Sequence, residues 1–508
     1  MKISLRSRSS GKLSTGLISA LFILALSFSI LMLSAAGADA AYSPLHISRG
    51  LPGATSTGLP ALLVNPAGVH VDNPGQFSVE FDMGGGFSNS YFTQDRINDV
   101  LDDENFSEIA DDLGDDGLKA HAGGSGSFKF RAGPIGDFDG SVTGFAGADA
   151  DFSGELGAGV FEFMDDAEEI LEDADDIEDD DFFEEMEDVS LNMEGTEIGG
   201  AAYGGGGISL AYDITDGADV EADRLTIGST LHYRQGEIGH LTADGNMGFT
   251  ELEITEEELA EELQNDFNNG EIDFENDSYS TLTPEGTISF VGEHSDGNTA
   301  SGIGLDIGIY GEFNDRFSAG LSVENLAGSL NADSGYFVEG EVDIDVEELK
   351  DDVIDRAEKY LEDQDKDIDD PEAALEDAFV DVIDNKIDEA YEEGDIDDVS
   401  YSLPLRIRAE GAVEATENID AAAGITYANH DIGPNDVQLA AGMEMSHLSP
   451  LKLRGGLNYS TRRESLAISS GLGLEWGVFR ANLAFTDLRA LAGSANNYEA
   501  GFNMGFEF

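Results

Sequence analysis

Apolar and polar residues alternate along much of this chain with a period of two. At the C-terminal end, Tyr498, Ala500, Phe502, Met504, Phe506 and Phe508 occupy every second position, and Glu499, Gly501, Asn503, Gly505 and Glu507 fill the gaps. Successive strand residues point to opposite faces, so this is one apolar face and one polar or bare face. The period recurs at residues 403–409, 419–427, 437–445, 451–459, 466–476 and 479–485, joined by short turns such as Glu417-Asn418 and Ser460-Thr461-Arg462-Arg463. Shorter copies lie at residues 77–83, 128–130, 208–212, 225–233, 303–309 and 317–323. Long antiparallel strands with short turns make a meander of about 12 to 16 strands, and bacterial barrels take even numbers.

A meander with one apolar face closes in one of two ways, with that face inside a soluble barrel or sandwich, or outward against lipid. The opposite face decides. A soluble barrel needs bulky inward residues, whereas here the second face is Gly, Ser, Asn, Arg and Glu, as in Lys452, Arg454 and Asn458 or Arg480 and Asn482. Strands of about 9 to 12 residues also match the roughly 9–11 that cross a bilayer. Aromatic residues near strand ends (Tyr427, Tyr459, Trp476, Tyr498) suit interfacial girdles. The pattern therefore predicts an all-β transmembrane antiparallel up-and-down barrel of about 14 strands.

Four segments break the pattern. Residues 164–189 carry acids at 16 of 26 positions, yet Met164, Ala167, Leu171, Ala174 and Ile177 keep helical spacing. Residues 345–397 read as a helical hairpin, with Val346, Leu349, Val353, Ala357 and Tyr360 on one arm. Asp370-Pro371 starts the second arm, followed by Leu375, Phe379, Val382, Ile383, Ile387 and Tyr391. Residues 255–267 open on the capping box Thr255/Glu258 and continue through Leu259, Leu263 and Phe267. Residues 95–113 place Ile97, Leu101 and Ile109 among acids. Long inserts belong on one rim of such a barrel, the other rim having tight turns.

Residues 1–12 carry Lys2, Arg6, Arg8 and Lys12, residues 17–33 are almost wholly apolar, and Ala36, Ala38 and Ala40 offer cleavage positions. This reads as a secretory signal peptide over residues 1–40. Composition sharpens the reading. With 25 Lys plus Arg against 105 Asp plus Glu the formal charge is −80, which would repel polyanions and excludes a nucleic-acid partner. The acids concentrate in the helical inserts, a surface suited to water at high salt and a halophilic habitat. There is no cysteine, hence no disulfide, thiolate site or cysteine nucleophile.

The chemistry-bearing candidates are few. Asp365, Asp367, Asp369 and Glu376 fall at calcium-loop positions, but Asp370 stands where that loop needs glycine and Pro371 follows. The eight histidines have no metal-site spacing, and no nucleophile-elbow or phosphate-loop motif occurs. No cofactor, resident metal or catalytic residue is expected, and the chain is not read as an enzyme.

Two motifs remain: residues 59–69, LPALLVNPAGV, and Leu305-Asp306-Ile307-Gly308 ahead of residues 317–326, FSAGLSVENL. The first resembles the Asn-Pro-Ala-Gly segment that opens proteins of the FadL/TodX-like outer-membrane barrel superfamily. With the second it is most similar to the TraF-like and PorV-like branch. The terminal Phe508, with Phe506, resembles the signal read by the outer-membrane assembly machinery. The resemblance implies a cell outer-membrane location in a diderm bacterium, a barrel spanning residues 75–508, and an N-terminal plug, residues 41–74, carrying Asn65, Pro66, Ala67 and Gly68. It also implies transport of small hydrophobic molecules of the long-chain fatty acid class, captured on loop faces near Phe92, Phe106 or Phe182. The other branch implies instead a structural or assembly component of an envelope secretion or conjugation system, docking a protein partner through the residue 345–397 hairpin.

Overall fold

A computed structural model describes residues 53–71, 77–89, 91, 117–132, 140–173, 186, 189–217, 222–255, 258–259, 278–297, 299–314, 316–363, 371–430, 435–462, 465–487, 489 and 497–508. The signal segment, the 95–113 insert, the three calcium-loop aspartates and Phe92, Phe106 and Phe182 lie outside them.

Fourteen antiparallel strands close into a barrel: β1 (Phe77–Asn89), β2 (Leu118–Ala132), β3 (Gly140–Leu156), β5 (Thr196–Asp213), β6 (Arg224–Thr255), β8 (Ala300–Glu312), β9 (Phe317–Glu324), β14 (Leu405–Thr416), β15 (Ile419–Asn429), β16 (Asp436–Leu448), β17 (Leu451–Ser460), β18 (Ser465–Trp476), β19 (Phe479–Thr486) and β20 (Asn497–Glu507). Each pairs with the next in this order, and β20 returns to β1 with Phe506 opposite Val79. Closure satisfies the backbone that a membrane strand would otherwise leave bare. No described helix is long and apolar enough to cross a membrane.

The alternation sorts the two faces. Phe81, Phe128, Leu210, Leu231, Ile307, Leu321, Leu439, Leu457 and Leu472 are exposed on the outside, while their neighbours Glu80, Asp82, Lys129, Ser209, Asp306 and Arg454 are buried inside. Trp476 lies at the rim of short turns, and Tyr427 and Tyr459 near the opposite ends of their strands, so aromatics flank the apolar band on both sides.

The interior polar groups form a lateral relay around the β20–β1 seam. Lys129 reaches Asp82 (2.5 Å) and Glu80 (3.4 Å), Asn503 donates to Asp82 (2.6 Å), Asn482 to Asn503 (2.9 Å), and Arg454 to Asn482 (2.7 Å) and Glu444 (2.7 Å). Buried charges persist only when paired and hydrogen-bonded in this way.

One wall stands taller than the rest. β5 has 18 residues and β6 has 32, against the expected 9 to 12, because β6 continues beyond the rim and pairs there with β7 (Ser278–Ser295). β4 (Ser190–Asn192), β11 (Gly335–Ile344) and β12 (Tyr391–Ile396) widen this raised sheet. Its upper part carries apolar residues on both faces, so the outward-apolar alternation stops at the barrel. Three helices cover it: α1 (Ala158–Asp173), α2 (Val346–Asp363) and α3 (Pro371–Glu389). Leu349, Val353, Ala357, Leu375 and Phe379 of the hairpin bury Leu252, Ile254 and Ile344. Val160, Phe163 and Ile170 of α1 pack with Phe249 and Leu282, on the face of β6 opposite Leu252. All the long connections leave one rim, and the tight turns after β14, β16 and β18 occupy the other.

Local readings differ at the margins. α1 begins at Ala158, six positions before the expected start, because its first turns carry Val160 and Phe163, which pack on the raised sheet. α3 ends at Glu389, and Tyr391 opens β12 opposite Gly340 rather than continuing the helix; Ile387 is exposed. Thr255 and Glu258 make the reciprocal capping contacts, the Thr255 N–H donating to Glu258 (2.8 Å) and the Glu258 N–H to Thr255 (3.3 Å).

Leu231 lies near the middle of the outer band on β6. Leu231→Arg should lower barrel stability by about 2–4 kcal/mol, read as a lower temperature for the folded-to-unfolded shift in a heat-modifiability gel. An unchanged transition would place this face away from lipid. In the hairpin, Asp381 accepts from Arg356 (2.6 Å) and from the Tyr360 hydroxyl. The Arg356 bond, with Tyr360 second, holds its carboxyl below the usual 3.8. A lowered carboxylate pKa stabilises above the unfolded value and is lost as pH falls through the folded one. The hairpin should therefore loosen below about pH 3.8, an acid-sensitive step in helical circular dichroism that Asp381→Asn makes smaller.

Candidate functional site

Residues 53–71 lie within the lumen, toward the short-turn rim. Two 3-10 helices, Leu59–Leu63 and Pro66–His70, make up most of the segment. Pro60 and Pro66 sit in their first turns, where a fixed φ and a missing N–H are no liability. Gly58, at φ 69°, takes the left-handed turn that starts the first helix. Leu59, Ala61, Leu62, Ala67 and Val69 are fully or almost fully buried, with Ala61, Leu62 and Val69 against Ala211 and Phe145 of the wall.

Asn65 is the centre of the segment and is wholly buried. Its Oδ1 accepts from the Ala67 N–H (3.2 Å) and so caps the second helix. Its Nδ2 donates to the Ala54 carbonyl (2.6 Å) and to Ile309 of β8 (3.1 Å). The wall admits this close approach through bare positions: a Cβ on Gly308 would collide with Asn65 Oδ1, one on Gly320 with the Ala54 carbonyl, and one on Gly228 with the Pro66–Ala67 backbone. Gly68 is bare for the same reason, facing the Ser56 carbonyl.

Polar wall groups bind the rest of the segment. Arg131 donates to the Val69 carbonyl (2.6 Å), Arg224 to Val71 (2.6 Å) and Thr226 to Ala67 (3.0 Å), while His70 meets Ser141 (3.0 Å). On the far side, the Glu410 carboxylate accepts from the Gly53 N–H (2.6 Å) and from the Thr55 hydroxyl.

Above the segment is a small chamber lined by Leu63, Asp149, Arg234, Asp306, Glu324 and Arg406, among others. Asp306 accepts from the Asn325 N–H (2.9 Å) and from His232 (3.2 Å); Asn325 in turn accepts from Arg234 (2.8 Å) and donates to the Pro404 carbonyl (2.9 Å). Asn325 has φ 53°, the left-handed conformation that asparagine tolerates, at the point where β9 ends and the chain bulges toward β10 (Ser329–Ala332). The chamber encloses about 30 Å³ of free space, room for a water or two and far less than the roughly 150 Å³ of an apolar cavity that takes benzene.

The two sequence motifs thus meet on one strand. β8 presents Gly308 and Ile309 to Asn65 and, two residues earlier, Asp306 to Asn325. Asn65, Pro66, Ala67 and Gly68 all take part in the lumen contacts. Phe506 and Phe508 do not: they sit outside, stacked with centroids 6.3 Å apart, Phe506 also 5.4 Å from Phe479, and Phe508 N–H bonded to Phe77 at the seam. Sequence reading missed Glu410, Arg131, Arg224 and Thr226. Their only signal was a charge or hydroxyl on the inward parity of a membrane strand. Among the described residues no three His, Asp or Glu side chains group as a metal site.

No family model and no curated protein matches this chain. Solved structures do. The Ralstonia pickettii toluene transporter TbuX is 12% identical over 92% of this chain and 98% of its own, with a TM-score of 0.44. The P. putida toluene transporter TodX is 11% identical over 92% and 98%, with a TM-score of 0.45. A Pseudomonas aeruginosa FadL homologue is 10% identical over 92% and 97%, with a TM-score of 0.42. By its own strand pairings, this chain is a closed fourteen-stranded antiparallel barrel with an apolar exterior, and residues 53–71 lie in its lumen.

Gly308→Ala places a methyl against Asn65 Oδ1 and should unseat the segment. The expected result is new protease cleavage within residues 53–71 while the barrel keeps its gel shift; full protection in the variant would refute the joint.

Proposed function

We propose that this chain is an outer-membrane barrel that passes small hydrophobic molecules of the long-chain fatty acid class, with residues 41–74 as its plug. The carrying observation is the seating of the Asn65-Pro66-Ala67-Gly68 motif on β8, which occupies the lumen that an open porin would leave clear. The chamber above is polar and about 30 Å³, so an apolar cargo is held nowhere along it in the plugged state. On this reading the cargo is captured at the insert-bearing rim and leaves sideways through the wall when the plug shifts. The apolar exterior fits lipid as the receiving phase, and Phe506 and Phe508 at the seam are the signal for the assembly machinery. Residues 1–40 serve export.

The docking alternative has less support. The hairpin's apolar seam is already buried on β6 and β11, and among its described residues Ile387 is the one large apolar side chain left exposed on an otherwise acidic surface.

Proteoliposome uptake of a labelled long-chain fatty acid, compared between the full chain and a deletion of residues 45–70, tests the proposal. Uptake by the full chain and altered, ungated flux in the deletion are expected. If neither takes up the label, transport of this cargo class is refuted.

A further inference from the structure

The outer face changes chemistry above the apolar band on one side of the barrel. On β6 the outward positions are Leu231 and Tyr233, both exposed, and then Gln235, Glu237 and Gly239. The band ends at Tyr233 on this strand, while the wall continues upward. β10 meets β8 with Asn331 opposite Ser301 and pairs along its length with β13 (Val399–Ser402). Outward on these two strands are Ser329, Asn331, Ser400 and Ser402, as the opposed pairs Ser329/Ser402 and Asn331/Ser400; Leu330, Val399 and Tyr401 are buried on the inner side. Next above, His294, Tyr336 and Asp395 stand side by side on β7, β11 and β12, all three exposed and Tyr336 by 51%.

Height decides what this face meets. Tyr336 is level with Gly239, because His294 lies opposite both. From Tyr233 to Gly239 is about 20 Å along the strand at roughly 3.3 Å per residue, and about 15 Å in height at the usual tilt of a barrel strand. The head-group zone adds only about 5–8 Å to each side of the hydrocarbon. Tyr336 therefore stands above the interfacial tyrosines and above the head groups, on a surface continuous with the lipid-facing band. We infer that this face binds neutral sugars of an outer-leaflet glycolipid, with Tyr336 as the platform. A pyranose presents C–H groups on its faces and hydroxyls around its edge. The C–H groups pack on an exposed aromatic ring, and the hydroxyls need donors and acceptors beside it. His294 and Asp395, with Cβ atoms about 5 Å to either side of Tyr336, supply both kinds, and Asn331, Ser400 and Ser402 continue the set toward the membrane. Charge excludes phosphate as the partner. Asp333, Asp397 and Asp398 are exposed beside Asp395, and residues 290–301, 329–338 and 393–402 contain no Lys or Arg. The inference rests on the outer-membrane reading for the layer it meets and on nothing about cargo.

The test uses the full-length chain in detergent micelles and a fluorescently labelled rough-type lipopolysaccharide whose core carries neutral hexoses, read by anisotropy. Saturable binding is expected, with lipid A, which lacks those sugars, at least about tenfold weaker. Tyr336→Ala should weaken the hexose-bearing glycolipid about tenfold, the scale of losing one aromatic anchor, and leave lipid A unchanged. Removing divalent cations with a chelator should change neither value. Core oligosaccharide released from its lipid should compete at least about tenfold more weakly than the glycolipid, because the band below Tyr233 holds the acyl chains at the same time.

Unchanged binding in Tyr336→Ala overturns the inference, as does lipid A binding as tightly as the hexose-bearing form. Binding lost with the chelator assigns the face to cation-bridged phosphate, and released oligosaccharide binding as tightly as the glycolipid assigns it to free sugar; either result overturns the stated partner. Should Tyr336→Ala lose the barrel's gel shift, His294→Ala takes its place, and unchanged binding there overturns the inference. No arm reads fatty acid. A chain that binds the glycolipid through Tyr336 yet takes up no fatty acid keeps this site and loses only the cargo assignment, and uptake without Tyr336-dependent binding does the reverse.

Discussion

Everything in this molecule follows from one constraint: every polar group turned into the barrel has to find a partner there. The outer face is solved by lipid and the backbone by closure, so the interior is where the sequence has freedom and where it must be exact about partners. Lys129 of β2 could not stay buried beside β1 without Asp82 and Glu80, nor Asp82 without Asn503. A buried carboxylate or ammonium left unpaired is far more expensive than the net gain of pairing it. The lateral relay across the seam and the polar clamp on residues 53–71 are two answers to that demand, one wall to wall and the other wall to segment.

The raised sheet is the reverse case. Once β6 passes the rim, lipid no longer covers its outside, and apolar residues need protein cover. Leu252 and Ile254 on one face and Phe249 on the other bring the helices down on both sides. That solution leaves carboxylates facing water, which is how a chain of net charge −80 keeps a polar-walled barrel free of excess like charge: the surplus stands outside the membrane, screened by salt.

What was legible in the sequence was whatever depends on neighbours one or two residues away. Phe81 beside Glu80 and Asp82 announced the two faces, and the period-two runs marked thirteen of the fourteen barrel strands, β3 being the one with no run of its own. Asn65 was legible as part of a motif, but its role was not, because its partners Ile309 and Gly308 lie more than 240 residues on. Glu410 was harder still. It binds a glycine and a threonine 357 and 355 positions away, and on paper it is one acid among 105. The length of β6 escaped because a strand apolar on alternating faces in succession shows no single period. Contacts across a lumen have no sequence separation rule, so pattern finds the wall and only geometry finds what the wall holds.

β8 shows how the two kinds of information join. Its outward residues, Ile303, Ile307 and Ile309, are ordinary membrane-facing side chains, and its inward ones are each a specific fit: Asp306 for Asn325, bare Gly308 for Asn65. The Ile309 carbonyl serves the lumen segment through the backbone, so its side chain remains free to face lipid. One strand therefore fixes the end of β9 and the middle of the lumen segment within a few residues. A displacement of Asn65 is felt first at Gly308 and, two positions along the same rigid backbone, at Asp306, while residues 53–55 meet the wall at Gly320 of β9 and Glu410 of β14, the two strands that follow.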